Sequence, residues 1–308
     1  IRPFIAASWL DSKTSNDDEF DAEPGLDFSY NVTSSIKLTG TINTDFGETE
    51  VDARQINLSR FSLFFPEKRS FFLEDAGVFA FASTGPNSPG GVPSARADVY
   101  PFFSRRIGLV NGQEVPINLG LKGTGKVGNT DFGLLYAGTD NTSFVDSKEF
   151  IVARVKQNLF EQSYVGSIFT GGNPVLGMEG ETYGVDARLA TSDFLGTDKN
   201  FVVNAYGTKS DNGGSSDNDQ SYGISAHYPN DSYVGELVYR VIEEDFNPAL
   251  GFVQRKNVRM YRAGASYNPR PKNLWGIQQM FHDIFFTQFE RLDNGHIEST
   301  ELHITPLD

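Results

Sequence analysis

Between Asn57 and Phe81 the chain reads NLSRFSLFFPEKRSFFLEDAGVFAF, its densest mixture of aromatic rings and charges. Phe61, Phe64, Phe65, Phe71 and Phe72 are interleaved with Arg60, Glu67, Lys68, Arg69 and Glu74, and a second piece, PFFSRRIGL from Pro101 to Leu109, adds Phe102, Phe103, Arg105 and Arg106. Guanidinium groups pair bidentately with carboxylates and stack on ring faces, so such a segment asks for a buried or enclosed setting. Two roles follow from the same residue types. One is a plug, with rings packed on a wall and charges satisfied by one another. The other is a constriction in which Arg60, Glu67, Lys68, Arg69, Glu74, Arg105 and Arg106 hold a sugar or an anion. Composition alone does not choose between them.

Other residues offer weaker chemistry. Asp211, Asp217 and Asp219, with Asn212 and Asn218, form an oxygen-rich stretch that could take calcium, as do Asp17, Asp18 and Asp21; neither has the spacing of a helix-loop-helix calcium loop, and the plain reading is a solvated acidic loop. GLKGTGKV, from Gly120 to Val127, nearly spells a phosphate-binding loop, but Val127 stands where a magnesium-binding hydroxyl is needed and a strand-like stretch follows where a helix should. A hairpin explains it better. His227, His282, His296 and His303 show no metal-ligand pairing, no G-x-S-x-G elbow exists, and cysteine is absent. No catalytic residue, enzymatic activity or cofactor is expected. If one were sought, His282 and Asp283 would be the first place to look.

These residues need a scaffold, and the composition describes it. From Arg54 to Arg106 there are 7 basic and 4 acidic residues, a local charge of +3 in a chain of −14, so the remainder carries −17. A balance this acidic argues against nucleic acid as a partner and fits acidic surface loops bathed in divalent cations. With Phe 26, Tyr 12, Gly 31 and charged residues at 21%, the 308 residues favour an all-β protein. No run of eighteen apolar residues exists, which excludes a membrane helix but not a barrel, whose strands hide their hydrophobicity by alternation.

That alternation recurs along the chain. Leu26, Phe28, Tyr30 and Val32 alternate with polar residues, and Ile36, Leu38, Gly40, Ile42 and Phe46 do the same over a length that would cross a bilayer when tilted. Ile1 to Leu10 reads as a strand, the acidic run after it as a loop, and Ser83 to Ala95 as an irregular Pro- and Gly-rich loop. Further strands are expected around Leu121, Leu134, Ala153, Val185, Val203, Ile224 and Leu237, then at Arg259 to Tyr267, Gln278 to Glu290 and Gly295 to Ile304, giving roughly a dozen to fourteen in all. Arg154, Lys156, Arg188 and Arg240 in mid-strand must face a wet or ion-paired interior. Lys209 to Gln220 is expected to be the longest polar loop, on the outside of the cell.

The string INTDFGETEVDARQINLSRFSLFFPEKRSFFLE, then FFSRRIGL, FIVARVKQNLFEQSYVGSIFTGG and VIEEDFNPALGFVQRKNVRMYRAGASYNPRPK, resembles the DUF5916 family of Gram-negative bacteria over nearly the whole chain. Ser70 departs from the family's usual proline and Asp75 from its commoner glycine. The resemblance implies an outer-membrane β-barrel of no assigned activity, often preceded by a family 9-like carbohydrate-binding module.

The fold expected is therefore a single all-β domain over residues 1–308, an antiparallel transmembrane β-barrel with residues 54–106 folded inward as plug or constriction, and with further strands outside both ends. The expected setting is the outer membrane, in contact with lipid and lipopolysaccharide, with a saccharide or an envelope protein as partner and the oligomeric state open. The expected role is passage or docking for saccharides or another surface polymer. The alternatives are a non-conducting anchor that displays a binding module or joins an envelope complex, and a soluble glycan-binding β-sandwich.

Overall fold

A computed structural model describes residues 1–10, 19–44, 64–81, 99–110, 113–143, 145–175, 177–214, 216–272 and 277–306, with backbone alone for 6–10 and 19–23. In chain order the strands are β1 (Arg2–Leu10), β2 (Glu19–Asn31) and β3 (Ile36–Ile42); then the two-residue strands β4 (Val99–Tyr100), β5 (Leu109–Val110) and β6 (Gln113–Glu114). They continue as β7 (Ile117–Val127), β8 (Thr130–Thr139), β9 (Glu149–Leu159), β10 (Ser163–Gly171), β11 (Glu181–Thr191), β12 (Phe201–Asp211), β13 (Gln220–Pro229) and β14 (Tyr233–Ile242). The two-residue β15 (Phe252–Val253) precedes β16 (Val258–Tyr267), β17 (His282–Arg291) and β18 (Ile297–Thr305). Fourteen of these form one antiparallel sheet in chain order, with β3 paired directly to β7 across the long insert. Among the described residues the edge strands β1 and β18 are not hydrogen-bonded to each other. Among the described residues no helix is long and apolar enough to cross a membrane.

The period-2 pattern decides which side of each strand is covered. Leu134 (55% exposed) and Val185 (62%) stand on the open face, together with Leu38, Leu121, Ile151, Ile224, Leu237 and Ile284, whereas Arg154 (1%) and Asp186 (5%) lie on the covered face with Lys122, Asn204, Glu236 and Arg262. A soluble sandwich turns its apolar side inward. Here aliphatic side chains stand in the open as well, while the covered face holds both charges and an apolar cluster.

Hairpin chemistry sets the ends. The β7 to β8 turn is only 128–129, with Gly128 at φ 59, a left-handed conformation that costs glycine little. This turn lies at the same end as the connections 32–35, 160–162, 192–200, 230–232 and 268–281, while 43–116, 140–148, 172–180, 212–219, 243–257 and 292–296 lie at the other. The first end also holds the start of β1 and the finish of β18. The insert between β3 and β7 enters from the second.

Three expectations need correcting. The β3 strand ends at Ile42, because Asn43 turns left-handed at φ 50, although Asn43 and Thr44 still donate backbone hydrogen bonds to Asn118 and Ile117. Phe46 lies outside the described residues, as do Asp17, Asp18 and the Ser83 to Ala95 loop. Glu19–Glu23 belong to β2 and not to a loop, since the run EFDAE keeps a strand's alternation despite its charge. The connection after β12 is only 212–219, because pairing runs to Asp211 and resumes at Gln220; residues 268–281 span more.

Candidate functional site: the segment seated on the covered face

Residues 64–81 and 99–110 lie on the covered face and supply Phe71, Phe72, Phe79, Phe81, Val99 and Ile107 to one apolar cluster. The wall contributes Ile117, Leu135, Phe150, Val152, Ile168 and Tyr206, and the 243–257 connection contributes Phe246 and Leu250. The covered face is thus apolar toward the end where the insert enters and polar toward the other. The mid-strand cations stay within it by pairing or stacking: Arg154 on Asp186, Arg188 on Asn204 at 3.4 Å, and Arg240 over the Tyr206 ring at 5.9 Å.

Three rings of the insert rest where the wall has no side chain. A Cβ added at Gly120 would come within 3.0 Å of Phe71, one at Gly133 within 2.9 Å of Phe79, and one at Gly184 within 3.0 Å of Phe81. These glycines are recesses shaped for rings, on β7, β8 and β11. As sequence, Gly120 reads only as part of a hairpin.

Short helical turns hold the rings in place. Arg69 caps α1 (Ser70–Leu73), so Ser70 occupies the first helical position, where proline is favoured for its fixed φ. Asp75 follows in a left-handed conformation at φ 57, the geometry glycine adopts most readily. Both departures from the resembled family therefore sit where its usual residue would fit the backbone.

The seven candidate residues do not converge on one point. Arg69 is buried and gives its guanidinium to both oxygens of Glu67 at 2.9 and 2.8 Å, to the Ile107 carbonyl at 2.8 Å and to the Ser104 carbonyl at 2.9 Å, with the Phe72 ring 4.3 Å away. Glu67 also accepts from the Ser104 hydroxyl at 2.6 Å. Burial pushes the Glu67 carboxyl up, but the hydrogen bonds and charge of Arg69, with Ser104, outweigh it and hold the pKa below the ordinary glutamate value. This knot ties the two pieces of the insert together. Arg105 reinforces it, donating to the Pro66 carbonyl at 3.0 Å and lying over Phe65. Lys68 is half-buried beside the knot, its backbone N–H donating to Glu67 at 3.0 Å.

Glu74 faces the wall. It pairs with Lys37 and accepts from Thr39 at 3.4 Å, while Lys122 donates to the Phe71 carbonyl at 2.6 Å and to the Glu74 carbonyl, and Thr124 donates to Asp75 at 3.2 Å. Arg106 turns the other way, to the Ala249 carbonyl at 3.3 Å, and burial lowers its pKa. Arg60 lies outside the described residues.

The 243–257 connection is the partner that sequence reasoning missed. Its β15 pairs with β4, Leu250 accepts from the Phe103 N–H at 2.7 Å, and Phe252 joins Phe64 and Phe103 in a ring cluster with centroids 5.1 to 5.7 Å apart. Read alone, NPALG is an ordinary turn; only the dense aromatic content on both sides hinted at contact. Beneath the cluster a cavity of about 210 Å³ is lined by Phe72, Phe79, Phe81, Phe102 and Phe103, with Ser104 at its edge.

Among the described residues no group of three or more His, Asp or Glu side chains is placed to hold a metal ion. Asp211 and Asp217 are exposed, and the buried Asp219 lies 3.4 Å from Lys209. No curated protein and no solved structure matches the chain. The string around the Arg69 knot falls within residues 1–85, which match the family described as Domain of unknown function (DUF5916).

Proposed function

We propose that the chain is an outer-membrane β-barrel whose interior is shut by its own insert, serving as a non-conducting anchor or docking platform in the envelope. The observation that carries this is the aliphatic open face of the sheet, with Leu38, Leu121, Leu134, Ile151, Val185, Ile224, Leu237 and Ile284 exposed while Arg154, Asp186, Glu236 and Arg262 are covered. Water gives no reason to expose such a face over so many strands, whereas hydrocarbon does. Lipid and lipopolysaccharide would cover the apolar band. The long-connection end would face outward, and an envelope protein or a saccharide would dock there. We assign the chain no catalytic role.

The closed reading gains over the conducting one from the Glu67 and Arg69 knot, whose groups are spent on the protein. The cavity lined by phenylalanine rings favours a second reading, passage of a sugar after the insert moves, because rings stack on sugar faces.

Two measurements test this. The purified protein is expected to need detergent to remain monodisperse; a monodisperse sample in plain buffer ends the membrane reading. In planar bilayers the wild type and Arg105→Ala/Arg106→Ala are both expected to show no conductance steps, the variant melting lower. Steps in the wild type would replace the anchor by a passage.

A further inference from the structure

At the end of the covered face opposite the insert's entry, β16 and β17 bring together side-chain oxygens that no other described residue engages. Ser266 and Asp283 are directly opposed in the antiparallel register, and Asn268 follows just past the end of β16. All three residues are buried, at 4%, 5% and 4% exposure. Ser266 Oγ, Asn268 Oδ1 and Asp283 Oδ1 are out of solvent and have no hydrogen-bond partner among the described residues.

An opposed pair holds its Cβ atoms about 4.5–5.5 Å apart and a diagonal pair about 7–8 Å, so these groups border one small volume. A serine opposite an aspartate would ordinarily donate to it. Here it does not.

Nearby donors are committed elsewhere. Arg262 pairs with Glu236 and donates to Thr287 at 3.1 Å; Arg270 pairs with Asp231 and lies 3.4 Å from Gln279. The His282 ring is bonded to the Pro306 carbonyl and the His303 ring to Thr305 at 2.9 Å, while His227 faces Ser225 and Glu236. Asn268 is fixed from its other side, its Nδ2 donating to the Asp231 carbonyl at 3.2 Å and its N–H to the Ser232 carbonyl at 2.8 Å. That orientation turns the amide oxygen away from the turn.

A buried carboxylate with neither a cation nor a donor is costly. A carboxylate, a hydroxyl and an amide oxygen in one corner are ligands for a hard cation, with water completing its shell. We propose that Asp283, Ser266 and Asn268 bind a cation of the calcium class, which staples β17 to the 230–232 turn by way of Asn268. This site is separate from the acidic loop at Asp211, Asp217 and Asp219, and it does not depend on whether the sheet crosses a membrane.

The test uses the full chain, free of lipopolysaccharide and stripped with EDTA, melted with and without calcium chloride and with sodium chloride as the ionic-strength control. Calcium is expected to raise the melting temperature of the wild type by several degrees in a saturable way, and Asp283→Asn is expected to abolish that rise. In EDTA, Asp283→Asn is expected to melt no lower than the wild type, since it removes an unpaired charge. Ser266→Ala, which keeps the charge, is expected to shift the calcium midpoint several-fold higher. The absence of a calcium-dependent rise in the wild type, which would leave a buried water between the three oxygens, overturns the site. An equal rise in Asp283→Asn, or an unchanged midpoint in Ser266→Ala, overturns it as well.

Discussion

Arg154 and Asp186 form a two-pronged ion pair, with Nη1 to Oδ1 at 2.6 Å and Nη2 to Oδ2 at 2.8 Å and neither side chain open to solvent. The pair joins β9 to β11 by reaching over Gly166 of the strand between them, where an added Cβ would lie 2.7 Å from the guanidinium and 2.9 Å from the carboxylate. Tyr164 donates to Asp186 at 3.2 Å, and Phe81 of the insert lies over the guanidinium at 5.5 Å. A covered charge pair, a bare patch of backbone and an incoming ring form one fitted unit.

Breaking one side of that unit is expected to cost more than removing it. Asp186→Asn leaves Arg154 buried with its charge uncompensated, a loss of about 3–5 kcal/mol. Arg154→Leu/Asp186→Leu leaves no charge behind and is expected to recover most of the loss. Denaturant titration of the single and double variants measures both; equal destabilisation would mean that the pair is not desolvated.

Filling a ring recess is expected to loosen the insert while sparing the wall. Gly133→Val places methyl groups where Phe79 and Val78 now lie, and overpacking of this kind costs about 1–3 kcal/mol. Limited proteolysis within residues 64–81 should quicken in Gly133→Val but not in Leu134→Val, the neighbouring position on the open face. Equal cleavage in both would detach the insert from that recess.

Acid is expected to undo the Glu67 and Arg69 knot. The folded pKa of Glu67 lies below its unfolded value, so its contribution is present above the ordinary glutamate range, about 4.3, and is lost as pH falls through the lower folded value. Protease sensitivity of residues 64–69 should therefore rise only below about pH 4.3. Glu67→Gln should be sensitive at every pH, because an amide cannot offer Arg69 two charged oxygens. A wild-type profile that is flat down to the lower value would remove Glu67 from the fastening.

The open face makes its own prediction. If hydrocarbon covers Val185, then Val185→Arg should cost about 2–4 kcal/mol near the bilayer midplane. An exposed valine facing water would accept arginine with little change, within about 0.5 kcal/mol. Refolding into vesicles, followed by urea titration, separates the two cases.

The wall was the legible part of this chain, because a strand's two faces are written two residues apart. Leu121 against Lys122 and Val185 against Asp186 already told which side was which, and the expected dozen to fourteen strands became fourteen. Ends of strands were less legible. Asn43 stops β3 by a left-handed turn that asparagine tolerates but does not require, and Glu19 to Glu23 carry a strand's alternation beneath a loop's composition. The insert announced itself through phenylalanine and arginine, yet not its partners: Arg106 and Phe103 bond the backbone carbonyls of Ala249 and Leu250, which leave no mark on residue type, although Leu250 and Phe252 meet the insert through side chains as well. Asp283 was noted only as the neighbour of His282, since its place opposite Ser266 is known only once the register is known.

The β3 to β7 pairing has a kinetic side. Most neighbouring strands in the sheet are joined by short hairpins that can zip locally, whereas these two meet only after residues 43–116 have been gathered between them. Contacts this distant in sequence form slowly, so assembly should proceed as a small early block, β1 to β3, and a large late one, β7 to β18, with the seam between them as the slowest joint. Until that seam shuts, the phenylalanines of the insert have no wall on one side and stay open to whatever surrounds them.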